Sequence, residues 1–168
     1  IKLLPPDINK SNLEFIIEGD KEIRFGMGGV KGVSTKSLEN IVEARNKKGE
    51  FKNLDDLITK VGTHGLTKKD LDNLIKVGAL DEFGSRTQLI EVAPIVYTKI
   101  QRSEEALKGG QSTLFGISSE ETETPATPLP LLPQETDKEK TGWEKELLGI
   151  YLSKHPLEAF SDVILLNK

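Results

Sequence analysis

The stretch that decides the fold is GVKGVSTKSLENIVEAR, Gly29–Arg45. It begins in a glycine-dense run, GMGGVKGVS (Gly26–Ser34), whose four glycines exclude a regular long helix and suit a short helical turn followed by a tight hairpin. Ser34 is a good N-cap, because its side-chain oxygen can accept from a backbone N–H of the first helical turn. Leu38, Ile41 and Val42 then recur at helical spacing, and Gly49 is a natural stop. Arg45, Lys47 and Lys48 suit the negative end of that helix's dipole. A glycine hairpin that opens into a capped helix presents backbone N–H groups to an anion.

Upstream, LPPDINKS reads as a proline-punctuated extended lead-in. Leu13–Glu18 and Lys21–Phe25 read as the strands of a β-hairpin turning at Gly19-Asp20. Downstream, Asn53 caps a shorter helix with Leu54, Leu57, Ile58 and Val61 on one side, and Gly62 and Gly65 mark a loop. Thr67 caps the next helix, with Asp70 at its third position and Leu66 placed to staple to Leu71, and Gly78 ends it. Ser85 and Gln88 form a capping box that opens a long helix, in which Pro94 predicts a kink or break. Residues 118–140 hold half of the eight prolines among Thr, Ser and Glu, the composition of a disordered linker. Thr141 and Glu144 form the capping box predicted for a last helix, with Trp143, Leu147, Ile150 and Tyr151 on its apolar face and His155-Pro156 as its end.

Composition narrows the function classes. The net charge of −4 argues against a strongly basic binder taken whole, but residues 1–103 carry 17 Lys and Arg against 15 Asp and Glu, and residues 104–168 carry 6 against 12. The acidic excess is therefore C-terminal. The absence of cysteine excludes disulfides and thiolate metal sites. No apolar run approaches the ~20 residues of a membrane span. The opening at Ile1 reads as the middle of a longer chain.

Catalytic patterns fail one by one. No phosphate loop ending in Lys-Ser/Thr is present. His64 and His155 stand far apart in sequence and are assigned surface or capping roles. Asp70 and Asp72, two apart on a helix, point to different faces and make a poor metal clamp, so ordinary helix-surface solvation is expected of them.

The hairpin is the better candidate. Its pattern resembles a helix-hairpin-helix motif, which grips the DNA backbone without reading bases. Lys31 and Lys36 flank the loop. Such a hairpin usually reads Gly-apolar-Gly, and Gly32-Val33-Ser34 replaces the second glycine with a residue that can still cap and donate. On pattern alone the turn has two readings, a phosphate grip and an internal turn that packs Val30 and Val33 inward. LTKKDLDNLIKVGALDEFG, with Lys68 and Lys69 at its helix start, looks like a second, degenerate copy, for which packing is the expected role. Two such units commonly share one core. The candidate DNA-contact residues are Lys31, Gly32, Val33, Ser34, Thr35 and Lys36, joined by Lys68 and Lys69.

Four ordered stretches, LPPDIN, IRFGMGGVKGV, LIKVGALDEFG-R and WEKELLGIYLSKHPL, resemble the catalytic alpha subunit of bacterial replicative DNA polymerase III, across essentially the whole chain. The resemblance implies the stretch after the polymerase active site: the end of the fingers region (1–26), a tandem helix-hairpin-helix domain with its following helix (27–110), a clamp-binding peptide (111–117), a flexible linker (118–140) and a helix (141–168) that leads toward an oligonucleotide-binding (OB) domain and docks elsewhere on the parent. It places the polymerase carboxylates, and the metal ions that they hold, upstream and outside this chain, so no cofactor is expected here and Mg2+ belongs to the parent. The family also carries an internal sliding-clamp motif of the form Gln-x-x-Leu/Met-Phe. Gln111, Leu114 and Phe115 match it, around Ser112 and Thr113. Burying Leu114 and Phe115 in a preformed pocket would contribute roughly 3–6 kcal/mol before ordering costs, which suits a releasable tether. The expected fold is mainly α, with a short N-terminal β-hairpin. The expected partners are double-stranded DNA, the sliding clamp and the rest of the polymerase III holoenzyme, in the bacterial cytoplasm and with no membrane. The rival readings are a stand-alone helix-hairpin-helix repair module and a structural spacer without DNA contact.

Overall fold

The β-rich start of the chain forms a three-stranded sheet. The computed structural model describes residues 2–108 and 127–149. β2 (Ile16–Gly19) and β3 (Glu22–Arg24) form the expected hairpin, but its turn is Asp20-Lys21, one residue later than the sequence suggests, because a bulge between Ile17 and Gly19 takes up a residue of β2. The lead-in is more than an extended arm. β1 (Lys2–Leu4) pairs parallel to β3, with Leu3 opposite Ile23, so β3 is the central strand. Arg24 at the end of β3 pairs with the Glu18 carboxylate and donates to Pro5 O at 2.9 Å.

The rest of the lead-in is anchored to the helices. Ile8 is buried, and its N–H donates to Ala79 O at 2.9 Å. The Asn9 side chain exchanges two hydrogen bonds with the backbone of Phe51, at 3.0 and 2.8 Å. Arg45 donates to Ile8 O at 3.1 Å, Ser11 O at 2.7 Å and Asn12 Oδ1 at 2.6 Å, so this cation serves the fold. The glycine run follows as a single 3-10 turn, Met27–Gly29. A Cβ on Gly26 would stand 2.5 Å from the Glu14 backbone, which is why a side chain is excluded there.

Four helices then build the body. α1 (Thr35–Lys48) is capped by Ser34 and ends at Gly49, α2 (Leu54–Val61) is capped by Asn53, and α3 (Lys68–Lys76) is capped by Thr67, as their sequences dictate. α4 (Arg86–Lys108) starts at the Ser85–Gln88 capping box, with reciprocal bonds of 3.1 and 3.2 Å. Pro94 lies inside α4 without breaking it: the helix continues on both sides of the missing N–H donor. Flanking Ala93 and Val96 are buried, so packing against the core holds the helix together there. The core runs from Ile8, Met27 and Val30 through Leu38, Ile41, Leu57 and Ile58 to Leu71, Leu74, Leu80, Leu89 and Val96. Among the described residues no helix is long and apolar enough to cross a membrane.

The C-terminal part departs from expectation. From Thr127 onward the residues read as a linker are tied to the body by hydrogen bonds, although Leu131 stays fully exposed. The Asp55 carboxylate, 2% exposed, accepts from Thr127 N at 3.0 Å, Thr127 Oγ1 at 2.6 Å and Lys99 Nζ at 2.8 Å. Gln88 Nε2 donates to Pro130 O at 2.9 Å, and Thr87 Oγ1 donates to Pro133 O at 2.8 Å. Prolines cannot donate from their backbone, so at Pro130 and Pro133 the segment is held by its carbonyls. α5 (Asp137–Leu148) begins at a capping box of Thr136 and Glu139, five residues before the predicted one, with bonds of 2.8 and 3.2 Å. Thr141 is therefore no cap: it lies inside α5, and its hydroxyl donates back to Asp137 O at 2.8 Å. The described part of this helix packs on the body. Leu147 and Leu148 join the core, and the Glu144 carboxylate meets the buried Arg86 guanidinium at 3.4 Å. Ile150 and everything after it lie outside the described residues.

Candidate nucleic-acid interface

Two hairpins stand side by side and share a plan. The first, Lys31-Gly32-Val33, joins the 3-10 turn to α1, and the second, Gly62–Leu66, joins α2 to α3. Gly32-Val33-Ser34 in the first is matched by Gly65-Leu66-Thr67 in the second, and Lys36, Leu38, Asn40 and Ile41 are matched by Lys69, Leu71, Asn73 and Leu74. Ser34 and Thr67 each accept from the third residue of their helix.

The matched asparagines cross over. Asn40, on α1, donates to Gly65 O of the second hairpin at 3.0 Å, and Asn73, on α3, donates to Gly32 O of the first at 3.1 Å. Each hairpin glycine is thus held by the other unit, a reciprocal lock between the two. Gly32 has φ +79°, a left-handed conformation that favours glycine, and an added Cβ would stand 2.7 Å from Asn73 Nδ2. The apolar hairpin residues Val33 and Leu66 turn inward as plugs, half-buried and fully buried respectively. Val30 and Val33 pack as the internal-turn reading expects, and the polar edge of the loop stays outside.

That edge carries the predicted contact residues. Lys31, Gly32, Ser34, Thr35 and Lys36 are exposed at the start of α1, and Lys68 and Lys69 are exposed at the start of α3. Lys68 Nζ lies 5.4 Å from the centroid of the Tyr97 ring and 3.4 Å from Thr98 Oγ1. Tyr97 braces the second hairpin from below, its hydroxyl donating to Thr63 O at 2.6 Å. The Thr63 N–H donates to the Glu104 carboxylate at 3.2 Å.

Asp70 corrects the sequence reading. Far from being a solvated helix-surface residue, it is 4% exposed and sits between the starts of the two helices. Its carboxylate accepts from Ser37 Oγ at 2.5 Å, Ser34 Oγ at 2.8 Å and Ser34 N at 3.3 Å. Burial works against its ionisation, but the hydrogen bonds from Ser37, Ser34 and Thr67 outweigh that and hold the carboxyl below its usual pKa. Asp72, its neighbour but one, is half-buried and pairs with Lys76 at 2.9 Å.

A family model described as a helix-hairpin-helix motif matches residues 1–89. The chain belongs to this helix-hairpin-helix family. Its resemblance to DNA polymerase III subunit alpha extends over nearly its whole length. It is 40% identical to that subunit of Aquifex aeolicus over 164 residues, which are 97% of this chain and 12% of the relative. Against the Campylobacter jejuni subunit the identity is 39% over 98% of this chain and 14% of the relative. Against the Thermus aquaticus subunit it is 36% over 94% and 12%. The chain thus spans only about an eighth of the length of these relatives.

The helix-hairpin-helix pair brings together the two lysine clusters that lie far apart in sequence. It does not add Arg45 to them, since that residue staples the lead-in. Sequence reasoning overlooked the Asn40–Asn73 cross-lock, although matched asparagines in two matched units were a readable signal. The clamp-motif residues Gln111, Ser112, Thr113, Leu114 and Phe115 lie outside the described residues.

Proposed function

We propose that this chain is a duplex-holding segment of a bacterial replicative DNA polymerase. The observation that carries the reading is the cross-locked hairpin pair, which presents Lys31, Lys36, Lys68 and Lys69 at the exposed starts of two adjoining helices. Helix starts and flanking ammonium groups favour phosphate oxygens, and the cross-lock sets the spacing between two such points. Contacts of this kind position a protein on a duplex without reading sequence. The rest of such a polymerase would supply nucleotide addition and its metal ions, and its place would be the bacterial cytoplasm.

A second part of the proposal concerns QSTLF, Gln111–Phe115. Its match to the clamp motif supports a tether to a sliding clamp, with Leu114 and Phe115 as the anchors. In sequence the motif falls between α4, which ends at Lys108, and Thr127, which Asp55 and Lys99 hold. A clamp pull-down with L114A/F115A tests this: loss of capture supports the tether, and capture equal to wild type refutes it.

For the duplex reading, the experiment is a binding titration of the 168-residue chain with two duplexes of unrelated sequence over a range of salt. Comparable affinities that fall linearly with log salt are expected. Absence of binding at low salt leaves the structural-spacer reading, and a strong preference for one duplex contradicts backbone grip.

A further inference from the structure

The two hairpins match in plan but differ in charge: Lys31, Thr35 and Ser37 of the first stand where the second has His64, Lys68 and Asp70, and of these only Ser37 and Asp70 are buried. The third residue of α1 is Ser37 and the third residue of α3 is Asp70. Asp70 reaches across to the start of α1 and engages Ser34 N, Ser34 Oγ and Ser37 Oγ. Ser37 is too short to do the same for α3 and instead donates to Asp70. The start of α1 therefore already holds an anion supplied by the protein. We propose that Asp70 is a built-in substitute for phosphate at the first hairpin, so that the second hairpin and the lysine-lined groove beside it carry most of the duplex grip.

Two independent observations support this asymmetry. The rim of the first hairpin is tied to α5, where the Lys31 N–H donates to Leu147 O at 2.7 Å, whereas the second hairpin is tied at its base to α4, through Thr63 to Glu104 and Tyr97. The second hairpin, by contrast, borders an open groove of about 410 Å³ beside Gly65. Lys47, Lys48 and Lys60 line the groove, and Glu43 is the one acid in its lining. Lys47 is only loosely engaged, in an exposed pair with Glu43, and Lys48 Nζ donates to Lys60 O at 2.9 Å. Lys60 pairs with Asp56 at 3.0 Å. The carboxylate nearest the second hairpin, Glu104, binds Thr63 at the buried base of the loop rather than the start of α3. A phosphate chain approaching the pair thus meets a carboxylate that α3 supplies and the start of α1 already binds, and a basic track beside the second hairpin.

This inference rests on the duplex-binding reading above, and the experiment separates the two. The wild-type 168-residue chain, K31A/K36A, K68A/K69A and D70N are titrated with a short fluorescent duplex at several salt concentrations, with circular dichroism to establish folding. K68A/K69A should lower the slope of log affinity against log salt by about 2, one per phosphate-contacting lysine, and K31A/K36A by less than half as much. D70N, if folded, should bind more tightly at low salt, on the order of two- to fivefold, because a like charge near the backbone has been removed. If D70N does not fold, the two exposed lysine pairs decide. A K31A/K36A loss equal to or greater than that of K68A/K69A overturns the asymmetry and leaves duplex binding standing, as does a folded D70N that binds no more tightly. Failure of the wild type to bind at low salt overturns both.

Discussion

The buried pair of Arg86 and Glu144 holds α5 to the body, and removing it has a calculable cost. Their side chains are 3% and 1% exposed, and the nitrogen–oxygen distance is 3.4 Å. Breaking a buried pair by deleting one partner costs about 3–5 kcal/mol, because the remaining charge has lost its compensation. Arg86 keeps the Asp81 carboxylate at 3.3 Å and Lys76 O at 3.0 Å, so Glu144→Ala should fall at the low end, about 3 kcal/mol. With a urea m-value of about 2 kcal/mol/M, the midpoint should drop by about 1.5 M. Replacing both members, as R86M/E144L, removes the buried unpaired charge but also takes Arg86 from the half-exposed Asp81 and from Lys76 O, so it should recover part of that loss. The same variant has a local readout. The Lys31 amide donates to Leu147 O in α5, so loosening α5 should speed hydrogen exchange at Lys31 more than at Asn40 or Asn73. A Glu144→Ala loss below about 1 kcal/mol, or unchanged exchange at Lys31, would refute the view that α5 is an integral part of this body.

Three further outcomes follow from the same structure. Gly32→Ala should cost about 1–2 kcal/mol in a denaturant titration, because the residue must stay left-handed and its new methyl meets Asn73. Asn40→Ala and Asn73→Ala should each cost about 1 kcal/mol, and the exchange of the hairpin opposite the substitution should rise in each case, since each asparagine holds the other unit's glycine. At Asp55 and Asp70 burial opposes ionisation but is outweighed, by Lys99 and Thr127 at the first and by Ser37, Ser34 and Thr67 at the second, so both carboxyls sit below their usual pKa. Their stabilisation is complete above the unfolded carboxylate value of about 4 and drains as pH falls through the lower folded values, so D55N and D70N should be less stable at neutral pH and show a shallower acid limb in a pH scan of stability.

The elements easiest to read in the sequence were those fixed by local chemistry. Ser34, Asn53 and Thr67 cap their helices as written, because an N-cap satisfies a donor three residues away and needs nothing distant. Where long-range partners decide, the sequence was less legible. Thr141 and Thr136 both offer a cap followed three residues later by glutamate, and the choice fell to Thr136, leaving Glu144 free to enter the body beside Arg86. The Pro-rich stretch looked unstructured because its backbone donors are few, yet its carbonyls and Thr127 find partners on α2 and α4. β1 was hidden for a similar reason: a short strand beside two prolines is defined only by β3, which it pairs with in parallel. At the candidate interface the lysines were visible in the sequence, whereas the role of Asp70 depended on the approach of two helix starts from different units.

The most direct test of the account is a backbone amide NMR titration of the 15N-labelled chain with a short duplex at low salt. The largest shifts should fall at Gly65–Lys69, with smaller ones at Gly32–Lys36 and little change across β1–β3. Shifts concentrated on the sheet, or confined to Gly32–Lys36 with Gly65–Lys69 silent, would contradict it.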